Sequence, residues 1–491
     1  MKRWMAFTLA LVLILGCMSM AAAEERVVIN LTRACFNLPT PDPEQVKKVE
    51  DAINAYIADK INVEIRLTDL GSDRYGEQVR PMLENREINL LWTASWENVI
   101  GTNDLVAHEA VYDITDLLPG TPLYGSLAAN HWEATRFHGR NYFIPVYKDN
   151  VEGYDLMFRK AVADAHGWDI YSVHSLKDIE PMLADAKADG LRYPYLTQNT
   201  SMFYRWYIDR FDFVTGDVTT NFFAIDRQTD EVVDTILTPE YAEFSKLMGR
   251  WASLGYISED EVNRVTTNTT TQSQDWAISW WTDVPVNSEA SSRYGQEVLL
   301  RNMTDRYSHS NSPLGSCYCI TENSTKAQAK AAIDFLSLLY TDSKLADMYT
   351  FGIEGEDFEY TQTENQEIRH VTQHSDKYNH SMWESASATI VTPMHNEPDI
   401  KSNLYMDFNG DAVLSCASGF RFDKRPVVQQ YDACQALFDE YGFKLENGGI
   451  PEDQVDACIA EYQSALDAAG YQEVLAEFRR QYETWKEQEK R

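Results

Sequence analysis

The chain has 491 residues, 44% of them hydrophobic and 12% aromatic, with 76 acidic against 43 basic side chains and a formal net charge of −33. That excess of carboxylates excludes phosphate-backbone recognition and adsorption to anionic lipid, both of which need clustered Lys and Arg. The apolar content excludes a disordered chain, and the length exceeds what one hydrophobic core supports, so two or more domains are expected.

Lys2 and Arg3 precede an apolar run from Met5 to Leu15. At about 11 residues it falls short of the roughly 20 needed to span a bilayer, and it has the length of a signal-peptide core. Two processing sites compete. Ile14-Leu15-Gly16-Cys17 reads as a lipobox that keeps Cys17 as an acylated anchor; Ala21-Ala22-Ala23 reads as an ordinary A-x-A site that discards it. The leader is therefore residues 1–23, or a lipoprotein signal ending before Cys17, and the mature chain is exported.

Beyond the leader, Arg26–Arg33 alternates as a strand. Glu44–Lys60 carries Val46, Val49, Ile53, Tyr56 and Ile57 at helical spacing, Ile61–Leu67 alternates again, Ser72–Glu84 can form a helix apart from Pro81, and Ile88–Trp92 is a short buried strand. This β-α-β-α-β order predicts a parallel sheet with right-handed crossovers. Gly139–Pro145 turns into another strand. Phe222–Ile225 and the polar stretch to Asp234 suggest a hairpin. Glu240–Leu254 is an amphipathic helix with Phe244, Leu247, Met248 and Trp251 on one face, Trp276–Trp281 is a buried strand, Ala327–Tyr340 is a helix, and Val427–Lys490 is mostly helical.

Six cysteines follow the leader: Cys35, Cys317, Cys319, Cys416, Cys434 and Cys458. An even number in an exported chain permits disulfides, and buried free thiols fit equally well. No G-x-S-x-G, H-E-x-x-H, P-loop or dinucleotide fingerprint occurs. His370 and His374 share a helical spacing but lack a further ligand at a recognisable distance. Asp407-x-Asn409-x-Asp411 begins like a calcium loop but has Ala412 where Gly is needed and Ser418 where Glu is needed. No metal and no cofactor are expected.

Four stretches carry a resemblance. They are 42–67 (DPEQVKKVEDAINAYIADKINVEIRL), 132–145 (WEATRFHGRNYFIP), 333–355 (IDFLSLLYTDSKLADMYTFGIEG) and 418–427 (SGFRFDKRPV). Together they resemble the family-1-type extracellular solute-binding proteins of ABC importers, in particular the sugar-binding lipoprotein branch of Firmicutes-type bacteria. The resemblance implies an α/β, two-lobed, periplasmic-binding-protein-like fold. Each lobe is a mostly parallel sheet flanked by helices, and the ligand lies in the cleft between lobes, closed by a hinge. It places residues 24–148 and 308–345 in the first lobe and 149–303 and 346–491 in the second. It also implies a monomer that binds a small molecule, most simply a carbohydrate, and delivers it to ABC permease subunits at the extracellular face of the cell membrane. Nucleic acid is not a partner and the chain is not an enzyme. The rivals are a binding protein for a peptide, amino acid or other small solute and, more remotely, a secreted glycoside hydrolase, which needs two cleft carboxyls at catalytic separation.

A sugar site mixes aromatic rings, which stack on C–H faces, with short polar groups for the hydroxyls. Ligands in such sheets dock beyond the carboxyl ends of the strands. Trp96 follows the third strand directly. Trp281 and Asp283 end the Trp276–Trp281 strand, and alternation sends Trp280 and Trp281 to opposite faces. Tyr204 and Trp206, with Arg205 between them, lie in a polar aromatic stretch. Arg33 and Asn37 end the first strand, and Tyr147 precedes the expected crossing between lobes. These are the candidate ligand residues, with Cys17 the candidate lipidation site.

Overall fold

Asp42 starts the first long helix: its carboxylate accepts from the backbone N–H groups of Glu44 and Gln45, and Pro43 fills the first turn. In the computed structural model, which describes residues 25–489 apart from 98, 215–220, 267, 283 and 310, this helix spans Pro43–Ile57 and buries Val46, Val49, Ile53 and Ile57. Each such side chain contributes about 1.5–3 kcal/mol, so an Ile53→Ala change costs about 2–5 kcal/mol.

The main strands, in chain order, are β1 (Val27–Cys35), β2 (Val63–Gly71), β3 (Leu90–Thr93), β4 (Phe143–Pro145), β5 (Asp155–Arg159), β6 (Tyr193–Tyr195), β7 (Trp276–Trp281), β8 (Val298–Asn302) and β9 (Cys317–Ile320). The first sheet has the order β2-β1-β3-β9-β4. β1 runs parallel to β2 from Val27↔Val63 to Cys35↔Gly71 and parallel to β3, while β9 is antiparallel to both β3 and β4. The second sheet has the order β8-β5-β7-β6, with β7 parallel to β6 and antiparallel to β5. The hairpin appears as Phe223–Asp226 against Glu231–Asp234.

Two large cores result. The first joins the β1–β4 sheet to the helices Pro43–Ile57 and Lys326–Leu339 and continues through Tyr349, Phe358, Val371, Tyr378, Tyr405 and Phe408. Residues 346–408 therefore pack with the first lobe, which corrects the expected division at 345/346. The second core sets one face of the second sheet against the helix Pro239–Ser253 and the C-terminal helices Val428–Leu437, Val455–Ala468 and Tyr471–Glu489. A small third cluster, including Met157, Trp276, Trp281 and Tyr294, covers that sheet's other face.

The chain passes between the cores through 146–154, 303–316 and 409–416, and these segments are laced together. The Asn150 N–H donates to Asn409 Oδ1 at 2.8 Å, and Asn409 Nδ2 donates to the Lys148 carbonyl at 2.6 Å. Glu152 and Tyr307 exchange backbone bonds of 2.8 and 2.7 Å, and Tyr307–Ser308 pairs in parallel with Val413–Leu414. The six cysteines are free thiols. Among the described residues no helix is long and apolar enough to cross a membrane.

Candidate functional site

A cleft of about 940 Å³ opens where the lobes and the hinge meet, at the upper end of the range for small-molecule sites. The first lobe contributes Trp96 and Phe137, the hinge Glu152 and Asn311, and the second lobe Tyr204, Arg205, Arg421 and Tyr431.

Trp96 is placed by the end of β3. The Ser95 N–H donates to the Leu314 carbonyl at 2.8 Å, and the Trp96 indole N–H donates to the Gly315 carbonyl at 2.7 Å. The ring remains 44% exposed. Phe36 and Trp92 back it at 5.9 and 6.1 Å, and Trp383 extends the shelf, 4.7 Å from Phe36. On the opposite wall the short helix Met202–Trp206 presents Tyr204 and Arg205. The Tyr204 hydroxyl donates to Glu152 at 3.3 Å, and burial raises its pKa well above the ordinary tyrosine value. Arg205 lies over the Trp280 ring, 4.7 Å from its centroid, and Trp280 is fixed by an indole bond to the Thr197 carbonyl at 2.9 Å.

Arg421 joins the lobes. Its guanidinium donates to Asn311 in the hinge and, at 2.8 Å, to the Ala134 carbonyl of the first lobe, and it lies 4.7 Å over the Phe137 ring. Burial brings its pKa down to about 9, against the opposing influence of Cys317 and Asp212. The cleft charges Lys148 and Asp149 pair with each other at 2.9 Å, as do Arg425 and Asp423 at 2.7 Å. The walls thus offer an exposed indole face and a set of donors and acceptors suited to hydroxyl groups.

A family model described as a domain of unknown function, DUF3502, matches residues 416–487. A carbohydrate ABC transporter substrate-binding protein of Streptococcus pneumoniae is 21% identical over 98% of this chain and 99% of its own length. The crystal structure of the N-glycan transport solute binding protein NgtS from the same species aligns with a TM-score of 0.79 at 21% identity, covering 94% of this chain and 99% of that one. An HMO binding, ABC-transporter associated solute binding protein of Bifidobacterium longum infantis aligns at 0.61 and 14%, covering 94% and 99%. The chain has the fold of the ABC-transporter solute-binding proteins. The resemblance read from the four sequence stretches and these comparisons agree.

Of the residues expected at the ligand site, Trp96 and Tyr204 line the cleft. Trp206 turns into the second core, its indole donating to the Tyr195 hydroxyl at 3.0 Å. Trp281 is 1% exposed, in the small cluster on the far face of the sheet, and its indole donates to the Val284 carbonyl at 3.1 Å. The half-buried Trp280 lies beneath Arg205 on the other face, so alternation divides the pair as expected, and Trp281 turns away from the cleft. Asp283 and Cys17 lie outside the described residues.

Arg33 is fully buried and paired with Asp69 at 2.7 Å, with Tyr349 4.0 Å below its guanidinium. His380 Nε2 meets the same carboxylate at 2.8 Å. Burial and Arg33 both oppose charge on His380; Asp69 outweighs them and holds its pKa well above the ordinary histidine value. Arg33 therefore belongs to a buried network that ties residues 378–384 to the ends of β1 and β2, not to the cleft surface. Asn37 is exposed beside Phe36, donating to Asn379 Oδ1 at 2.9 Å and Ser381 Oγ at 3.1 Å. Tyr147 is half-buried in the hinge, 5.4 Å from the His131 ring.

Several cleft residues escaped the strand-end reasoning: Phe137, Arg421, Phe422 and Tyr431. A usable signal existed, because Phe137 and Arg421 lie in two of the four stretches that carried the resemblance, 132–145 and 418–427.

Proposed function

We propose that this solute-binding protein captures an oligosaccharide in the inter-lobe cleft and delivers it to the permease of an ABC importer. One observation carries the reading: an exposed Trp96 face stands across a cleft of about 940 Å³ from Tyr204 and Arg205. A sugar ring stacks its C–H face on the indole and takes hydrogen bonds from the opposite wall. The size favours several rings over one. The names of the relatives support the class of ligand: NgtS structures are described with Man1GlcNAc and with Man5GlcNAc. In this reading the protein acts as a monomer outside the cell, held at the membrane through an acylated Cys17, and lobe closure creates the surface that the permease recognises. No covalent chemistry is involved.

A thermal-shift screen of the mature protein against oligosaccharides, monosaccharides, amino acids and short peptides tests this. A ligand at 100 times its Kd adds about 2.7 kcal/mol to the folded state. A rise in melting temperature confined to oligosaccharides is expected; a rise confined to amino acids or peptides contradicts the glycan reading. The anchor is tested separately by labelling with a radioactive fatty acid, which Cys17→Ala abolishes if the lipobox is used.

A further inference from the structure

The segment Thr197–Trp206, which carries Tyr204 and Arg205 and anchors Trp280, is gripped at two points by buried carboxylates. At one end, Glu261 accepts from the backbone N–H and hydroxyl of Thr197 and, at 2.8 Å, from the Gln198 N–H. At the other, Glu446 accepts from the Ser201 hydroxyl, from the Phe203 N–H at 3.3 Å, from Asn221 Nδ2 at 2.6 Å and from the Tyr241 hydroxyl at 3.3 Å. Ser201 Oγ in turn caps the helix by accepting from the Tyr204 N–H at 3.1 Å. Asn447 adds a bond to the Thr200 carbonyl at 3.1 Å. Glu261, Glu446, Asn221 and Asn447 are all fully buried.

Between the two grips, Gln198 and Asn199 adopt consecutive left-handed conformations, φ 57° and 55°. That conformation costs free energy in non-glycine residues and persists only where surrounding contacts impose it. Asn199 and Thr266 supply part of that imposition through bonds of 2.6 and 2.7 Å. Glu446 follows a π-helical turn at Phe438–Gly442, a rare feature often found at functional sites. Burial also pushes the Glu446 carboxyl up to about 7, against the hydrogen bonds it accepts.

We propose that Glu446 is a positioning residue of the ligand site, setting Tyr204 and Arg205 through Ser201, and that the segment 416–487 of unknown function serves in part to build the ligand-binding wall. The segment supplies that wall in two ways: directly through Arg421 and Tyr431, and indirectly through Glu446 and Asn447 behind the Tyr204 helix. The inference rests on the cleft being the ligand site.

The test compares Glu446→Gln and Glu446→Leu in the mature protein. Glutamine keeps an acceptor for Ser201 and Phe203; leucine removes it. Two readouts are taken: Man5GlcNAc affinity by titration calorimetry, and amide exchange of peptides covering 197–207, 155–159 and 276–281 without ligand. Glu446→Leu is expected to weaken binding about tenfold or more and to speed exchange in 197–207 by a similar factor, because buried donors lose their acceptor. The peptides from β5 and β7 keep their protection, and Glu446→Gln stays within about threefold of the wild type on both readouts. Unchanged affinity and exchange in Glu446→Leu overturns the proposal, as does loosening spread evenly across the second lobe. If the wild type binds no saccharide, the glycan reading fails on its own, and the exchange of 197–207 still decides whether Glu446 holds that segment.

Discussion

The Arg205 guanidinium sits 4.7 Å above the Trp280 ring, and among the described residues no carboxylate lies within ion-pairing distance of it. A cation over an indole face is held in orientation without its N–H donors being consumed. Arg205 thus lines the cleft of a protein whose net charge is −33.

On the proposed function, replacing Arg205 with Ala is expected to remove charge-assisted hydrogen bonds to the ligand, worth about 1.5–3 kcal/mol. Saccharide affinity falls about tenfold or more, while stability falls only by what the cation–π contact over Trp280 contributes, about 0.5–2 kcal/mol. Titration calorimetry alongside a thermal melt checks both halves.

Trp96→Ala separates binding from stability in the same way. The ring is 44% exposed, so its loss costs the fold little. On the proposed function it stacks on the sugar, and its removal is expected to cost on the order of 2 kcal/mol of binding, about thirtyfold. Trp96→Phe recovers part of that loss. A Trp96→Ala protein with wild-type affinity removes Trp96 from the site.

Arg421 bonds at once to Asn311 in the hinge and to the Ala134 carbonyl across the cleft. Its removal takes away a contact that holds the lobes in this arrangement. Arg421→Ala is expected to raise the radius of gyration of the ligand-free protein in solution scattering. Lysine does not restore it, because a single ammonium cannot reproduce the forked geometry. An unchanged scattering curve contradicts the assignment.

Glu446 imposes a pH dependence whose sign follows from its environment. Its pKa rises from 4.5 to about 7 on folding, so the folded chain holds this proton more tightly than the unfolded chain. The stabilisation is complete below pH 4.5 and is lost as pH rises from there to about 7, amounting to roughly 3 kcal/mol. Tyr241 and Tyr462, the other titratable groups that face it, have pKa values raised by burial and stay neutral in this window. Asp234, also pushed up to about 7 by burial, adds a fall of the same sign. Denaturant unfolding at pH 5 and pH 8 should therefore show a larger stability loss in the wild type than in Glu446→Gln; equal losses contradict the assignment.

Asp69→Asn leaves Arg33 and His380 buried without their shared counter-charge. Breaking such a pair from one side costs about 3–5 kcal/mol, and the melting temperature should drop accordingly.

The first lobe was readable because its signals are local. The periodicity of 44–60 and the alternation of 61–67 each lie within one window, and Pro43–Ile57 and Val63–Gly71 follow them closely. Arg33 misled because its place at the end of β1 suggested the cleft, whereas its partners Asp69, Tyr349 and Tyr378 arrive from distant parts of the chain. The same long-range packing draws 346–408 into the first lobe, through a stretch whose strands Phe358–Thr361 and His370–Gln373 are too short to leave a pattern. Alternation established that Trp280 and Trp281 face opposite ways. Which one packs beneath Arg205 depends on a helix about 75 residues earlier in the chain.

Calorimetric titration of Man5GlcNAc and of smaller saccharides into the mature protein, with Trp96→Ala and Arg205→Ala in parallel, decides whether the inter-lobe cleft is a saccharide site. One-to-one binding by the wild type that weakens at least about tenfold in each variant is expected. Saccharide binding that both variants leave intact, or tight binding of an amino acid or peptide with none of a saccharide, contradicts it.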